Sequence, residues 1–277
     1  MENQLACISL TLGCPSQETH KLIHKHPNYI LHIQLAPGEI TNPAITRTLS
    51  CPASATFASL HRAIQIAFGW ATTHTYDFVV KDPTYVAPQE TIEEYIQRRM
   101  ARDNAHITGR PVPDPGPRQF LLRVAERPEG DGAFGAIDRM HERDRQHPRT
   151  PECMSHMIKL HTVFDDEKYK NHELEYMYDF GDHWAHVIQV VGRADTTSKF
   201  VCTDGEGHGC AEDASGTTGW EELKSAYTAG HPNKEQREKM KWFETSASNR
   251  DTAGLKGPKV RSWPKTKVNS LLADLGI

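Results

Sequence analysis

Tyr176-Met177-Tyr178-Asp179-Phe180-Gly181-Asp182-His183-Trp184-Ala185-His186 is the stretch whose reading decides the fold. Leu174, Tyr176, Tyr178 and Phe180 alternate with Glu173, Glu175, Met177 and Asp179, the period-two pattern of a strand with one buried face. Gly181-Asp182 interrupts the run with residues that tolerate turn dihedrals. Trp184, His186, Ile188 and Val190 then resume the alternation on a return strand. The spacing therefore predicts a hairpin whose tip crowds two carboxylates and two imidazoles among aromatic rings. A loop tip carried on rigid strands is a favoured place for function. The plain alternative is a polar turn anchored by a tryptophan.

Outward from the hairpin, Tyr29–Leu35 reads as a strand bounded by Pro37-Gly38, and Ala44–Leu49 as a second strand across that turn. Thr56 can cap a helix carrying Leu60, Ile64 and Phe68, ended by Gly69. His74–Val80 resumes strand, and Thr91–Met100 reads as a helix with Ile92, Tyr95, Ile96 and Met100 on one face. The stretch 103–150 carries Pro111, Pro113, Pro115 and Pro117 with several arginines, and only Phe120–Val124 looks like a strand. It reads as an insertion, a flap or surface excursion, with Arg139, Arg143, Arg145 and Arg149 as a solvated face. Met157–Phe164 forms a short helix or strand. After the hairpin come an acidic, glycine-rich loop over 203–216, helices from Trp220 and Lys234, and a basic segment ending in a short helix around Val268–Leu275. Together these elements predict an α+β fold, a mixed or antiparallel sheet with the hairpin at its centre and helices packed on it. The expected organisation is an N-terminal extension (1–27), a core domain (28–250) and a basic C-terminal tail (251–277).

The chain of 277 residues carries a net charge of −4, which argues against a general polyanion binder but leaves room for a local basic face. No apolar run approaches membrane-spanning length, and the N-terminus has no basic-then-apolar secretory pattern. A cytoplasmic location is expected, and the six scattered cysteines are expected to be free thiols. No GxSxG elbow, Walker sequence or GxGxxG occurs, so no nucleotide cofactor is expected, and no metal. Asp-Phe-Gly appears without the other kinase segments.

Three clusters carry chemistry. Asp179 and Asp182 on the hairpin, with Asp204, Glu206, Glu212 and Asp213 on the loop, can serve as bases, as metal ligands or as a cation pocket; guanidinium suits paired carboxylates well. Glu212-Asp213 also precedes a helix, where acidic residues are favoured for stability alone. His74, His183, His186 and His208 offer a proton acceptor near neutrality, although His183 and His186 would point to opposite faces of one strand. Lys256, Lys259, Arg261, Lys265 and Lys267 surround Trp263 in the tail, a combination that suits RNA phosphates and bases.

Tyr178-Asp179-Phe180-Gly181-Asp182-His183-Trp184-Ala185-His186 resembles the signature YDFGDxWxH of the pRiA4b ORF-3-like family. Leu60-His61-Arg62-Ala63-Ile64-Gln65, Phe68-Gly69-Trp70, His74 and Tyr76-Asp77-Phe78 resemble its LHxxIQxxFGWxxxHxxxF block. Cys202-Thr203-Asp204-Gly205, Glu212-Asp213 and Gly219-Trp220 resemble its CxDGxxxxPPEDxGGxxGY segment. The likeness covers roughly residues 28–245 and keeps the order of the blocks. His183 departs from a usual acidic residue, Ala211 from a proline, and Ser215-Gly216 from a glycine pair.

The resemblance implies more than the residues do. A subset of fungal members makes arginine-containing cyclodipeptides from aminoacyl-tRNAs, so the resemblance implies a tRNA-dependent cyclodipeptide synthase whose partners include arginyl-tRNA. On that reading His186 or His183 is the base, Asp179 and Asp182 orient it or hold the amine, and Tyr178 is a donor. Glu212 and Asp213 read arginine, with Asp204, Trp184 and His74 lining the substrate site. The five tail cations contact tRNA, and no stable protein partner is implied. The alternatives are a non-catalytic interaction module and a metal-dependent hydrolase.

Overall fold

The computed structural model describes residues 26–110, 116–126 and 142–276. Its frame is an eight-stranded sheet: β1 (Asn28–Leu35), β2 (Ile45–Cys51), β3 (Tyr76–Lys81), β4 (Phe120–Ala125), β5 (Glu152–Met154), β6 (Leu174–Tyr178), β7 (Trp184–Ala194) and β8 (Val201–Glu206). The order is β5-β4-β3-β6-β7-β1-β2-β8. Every pairing is antiparallel except that of β4 with β5. β6 and β7 pair Tyr178 with Trp184 and Leu174 with Ile188, which places the predicted hairpin at the middle of the sheet.

α1 (Phe57–Phe68) forms as its sequence dictates. Thr56 accepts a hydrogen bond from the Ser59 amide at its start, and Gly69 closes it at φ 79°, a left-handed value that costs glycine nothing. Its buried Leu60, Ile64 and Phe68 join the strands' inward residues in one core. Further helices are α2 (Ile92–Thr108), α3 (His161–Phe164), α4 (Gly216–Thr228), α5 (Lys234–Thr245) and α6 (Lys265–Ala273), with a 3-10 helix at Gly257–Arg261. No described helix is long and apolar enough to cross a membrane.

α2 forms where the sequence predicts a helix, but its apolar stripe is not a core face: Ile92, Ile96 and Met100 are exposed, and the helix is tethered by Arg98 to Glu90 and by Arg99 and Arg102 to Asp144. Other expectations are corrected. Within the stretch 103–150 the expected strand forms as β4, and it is no surface excursion: it lies between β3 and β5 with all six residues buried. Nor is Arg145 a solvated charge. Arg145 and the buried Arg123 both bond the fully buried Asp77; Arg145 also reaches Glu175, and Arg123 reaches Glu142 and Glu152. Alternation explains it: Asp77 points away from the face of Tyr76 and Phe78, and a buried carboxylate must be paired.

The basic segment after residue 250 is no free tail, since Leu255, Val268 and Leu272 are buried in the common core. Cys153 is disulfide-bonded, against the expectation of free thiols, whereas Cys51, Cys202 and Cys210 are free and buried. Residues 1–25, Pro111, Pro113, Pro115 and Arg139 lie outside the described residues.

Candidate functional site

The hairpin tip and the acidic loop meet. Between β6 and β7 the chain turns through Asp179 and His183, both left-handed at φ 58° and 57°. The loop after β8 turns through Asp213 and Ser215 at φ 61° and 70°. Among the described residues six non-glycine positions have positive φ, and five of them (Thr72, Asp179, His183, Asp213 and Ser215) lie here. Asp and His tolerate this region better than most residues, and such backbone strain gathers at functional sites. Gly216, at φ 68°, sits so close that a Cβ would meet the Asp182 carbonyl oxygen at 2.8 Å. The Asp182 carboxylate accepts from the Ser215 amide at 3.1 Å, locking tip to loop.

Glu212 forms the buried clasp of the site. It is fully buried; Oε2 accepts from the Ala71 amide at 2.8 Å, and Oε1 accepts from the Thr73 hydroxyl at 3.1 Å and from the Tyr178 phenol. Tyr178 in turn accepts from the Thr73 amide at 3.0 Å. Burial, reinforced by the bond to Glu212, pushes the Tyr178 phenol well above its usual range, so it stays protonated and donating. Asn249 ties the same region from a third side, accepting from the Glu212 amide and donating to Gly69 and Cys210 carbonyls.

One residue along, the chain turns outward. His74 Nε2 stands 3.0 Å from Asp213 Oδ1 and 3.5 Å from Asp179 Oδ2. The Asp213 side chain is half-exposed, whereas Asp179 is nearly buried and its other oxygen accepts from the Gly181 and Asp182 amides. Ser248 donates to the far oxygen of Asp213 at 3.2 Å. Asp182 completes the rim; burial and the nearby charges of Asp179 and Asp213 raise its carboxyl above the usual range, against the pull of the Gly216 and Ser215 amides. The arrangement offers a mostly buried imidazole held by two carboxylates, with a third alongside. It can accept a proton, hold a cation, or bind a metal ion: among the described residues His74, Asp179 and Asp213 bring ligand atoms within 4.8 Å of one another.

The sequence-derived residues divide accordingly. His186 is corrected as a base: it is wholly buried, Nδ1 lies 2.9 Å from the Trp184 carbonyl, and burial pushes its pKa down to about 3. Trp184 is corrected as a substrate contact, being sealed in the core against Trp70 at 5.2 Å. Tyr178 and Glu212 are fully buried and bonded to each other behind the rim, which corrects both as direct substrate contacts. Asp204 lies on the edge strand β8, four strands from β6. His183 is exposed at the tip, with Nδ1 3.1 Å from the Gly181 carbonyl. Of the tail cations, Lys259 pairs with Asp251 at 2.6 Å, Lys265 bonds the Thr203 carbonyl, and Arg261 meets Asn42 and Glu206; Lys256 and Lys267 are exposed. Thr73, Ser248 and Asn249 carry no sequence signal of their own. Trp70, within the first family-like block, had one.

The family model described as plasmid pRiA4b ORF-3-like protein matches residues 28–253. The chain is similar to the uncharacterized protein y4hQ of Sinorhizobium fredii, at 22% identity over 218 residues, covering 75% of this chain and 80% of that protein. The fold is similar to the crystal structure of MM3350, a protein of unknown function from Methanosarcina mazei Go1. That match has a TM-score of 0.54 and 18% identity, over 87% of this chain and 97% of the other.

Proposed function

The chain belongs to the plasmid pRiA4b ORF-3-like family, and on that premise we propose that it is a tRNA-dependent cyclodipeptide synthase, joining arginine and a second amino acid into a diketopiperazine. The observation that carries the reading is His74 Nε2 set between Asp213 and Asp179 at an open rim beside Asp182. Aminoacyl esters are already activated, which agrees with a chain that has no nucleotide-binding motif. The α-amino group of one ester attacks the carbonyl of the other. A C–N bond forms as the C–O bond to the ribose breaks, the amine proton passes to His74, and the leaving hydroxyl takes one up. The free amine of the dipeptidyl ester then attacks its own ester carbonyl: a second C–N bond forms and closes the ring as the remaining C–O bond to the ribose breaks, and the second tRNA leaves with its hydroxyl reprotonated by the proton the amine gives up.

In this reading His74 takes the role that the family resemblance implied for His186 or His183. Asp179 and Asp213 orient it, and with Asp182 they receive the guanidinium, whose charge would relieve the repulsion among the three carboxylates. Glu212 and Tyr178 fix the wall behind. Expression in a bacterium, followed by mass spectrometry of the medium, tests the reading: arginine diketopiperazines are expected from the wild type and not from His74→Asn. Their absence from a well-folded wild type overturns it.

The convergence of one imidazole and two carboxylates favours a second reading, a divalent-metal hydrolase site with His74, Asp179 and Asp213 as ligands. Stoichiometric metal in the purified protein, lost in Asp213→Asn, would support that reading. Tight capture of a protein partner with neither product nor metal would point to a non-catalytic module.

A further inference from the structure

A cleft of about 690 Å³ opens beside the acidic site, between the end of α1, the loop 248–252 and α6. The two are contiguous. Ser248 lines the cleft while donating to Asp213, and Ala71 lines it while its amide holds Glu212. Their charges are opposite. The cleft carries Arg47, Arg250 and Lys267 against one carboxylate, Asp251, and that carboxylate is taken by Lys259 at 2.6 Å and His208 at 3.1 Å. In a chain of net charge −4 this is a local excess of positive charge.

Arg47 is the unusual member. It is 1% exposed, and its four bonds go to the carbonyls of Thr46, Ala67, Glu206 and Gly207, with no carboxylate among them. A guanidinium has five N–H donors, so one is left over. Its plane lies against Phe68 at 5.2 Å and Trp263 at 5.0 Å. Gly205 permits this, since a Cβ there would strike the Arg47 stem and Trp263 at 2.9 Å. Arg250 and Lys267 are exposed at the rim, with no ion-pair partner among the described residues. Apolar side chains such as Phe68, Trp70 and Leu271 supply the rest of the wall.

We propose that this cleft holds the phosphate-bearing 3′ end of an RNA, so that the ester it carries reaches the His74 rim next door. The inference rests on the aminoacyl-transfer reading above and adds where the nucleotide end lies. A basic cleft with apolar walls fits an anion with an apolar body, and a basic cleft adjoining an acidic rim fits a substrate that is anionic at one end and cationic at the other. An arginyl ester of a nucleotide has that polarity. Of the five basic residues in the C-terminal segment, Lys267 alone lines the cleft.

The test is fluorescence anisotropy with a labelled single-stranded oligoribonucleotide ending in CCA, across a salt series. Arg250→Glu and Lys267→Glu are each expected to weaken binding at least tenfold with an unchanged melting temperature. Replacing either by Ala should lower the slope of log K against log salt by about 0.7. Lys234→Glu, on the exposed start of α5, is the control and should change binding less than twofold. AMP should compete and inorganic phosphate should compete weakly. Unchanged binding in both reversal variants overturns the inference, as does equal competition by polyglutamate, which would mark a general polyanion surface. The two readings fail separately. Diketopiperazine output that survives the loss of oligonucleotide binding removes the cleft, whereas cleft-dependent binding without any product removes the synthase.

Discussion

Glu212 and Asp213 are neighbours with opposite jobs, and replacing each by its amide separates them. Glu212 is buried and receives three donors: the Ala71 amide on one oxygen, Tyr178 and Thr73 on the other. In Glu212→Gln one of those oxygens becomes a donor. If the retained oxygen faces Tyr178, the new amide group meets the Ala71 N–H and both are left without acceptors; if it flips, Tyr178 and Thr73 lose theirs. Each buried polar group left unsatisfied costs about 1–3 kcal/mol, so the variant, with two, should lose about 2–6 kcal/mol. For a domain of this size that is a Tm lower by about 4–24 °C. The Asp213 side chain is half-exposed, and its amide should cost about 1 kcal/mol or less. Asp213→Asn should therefore melt close to wild type while losing product, because it no longer offers His74 a charged partner. Differential scanning fluorimetry and product mass spectrometry on the two variants decide the matter. A wild-type Tm for Glu212→Gln, or parallel melting of the pair, refutes the reasoning.

His74→Asn should keep its Tm and make no product, whereas His186→Asn should lose stability yet retain product per folded molecule; the reverse outcome would restore His186 as the base. His61 and His186 are both pushed down by burial to about 3, against 6.5 for the free imidazole, so the unfolded chain binds two more protons than the native one between those values. Stability must fall as pH drops below 6.5, by roughly 2 kcal/mol per histidine on reaching pH 5. Denaturant midpoints at pH 7.5 and 5 measure this, and a flat profile contradicts it. Arg47→Met should strip donors from four carbonyls and lower Tm by several degrees, with Lys recovering little because an ammonium cannot span them. Equal melting of the Met and Lys variants with wild type would refute that role.

The parts of the fold that could be read in advance are those where local chemistry and tertiary need coincide. Thr56 and Gly69 bracket α1 by rules that act within one turn, and the alternation around Tyr176 fixes β6 and β7 whatever surrounds them. The stripe Ile92, Ile96, Met100 has the same period as a buried helix face, yet its burial depends on what the body presents, which no local pattern records. Phe120–Ala125 was legible as a strand, but its proline- and arginine-rich flanks hid its place inside the sheet, and nothing local told that Arg123 would be buried beside Asp77. At the site, the meeting of tip and loop was legible in the carboxylates. Which of two adjacent acids turns inward was not, because that is settled by a left-handed residue at Asp213 and by Ala71, Thr73 and Asn249 arriving from elsewhere.

The clasp around Glu212 also sets an order of events during synthesis. Its bonds to Ala71 and Thr73 bridge 141 and 139 residues, and the bond from Asn249 to the Gly69 carbonyl bridges 180. Contacts of such separation form slowly, since a long loop must close before any of them is made. A nascent chain can pair β1 with β2 and fold α1 early, but it holds no assembled rim until Asn249 has left the ribosome. The complete rim thus arrives with the last part of the family core, and on the proposed reading a chain stalled before that point should be inert however well its sheet has begun to form.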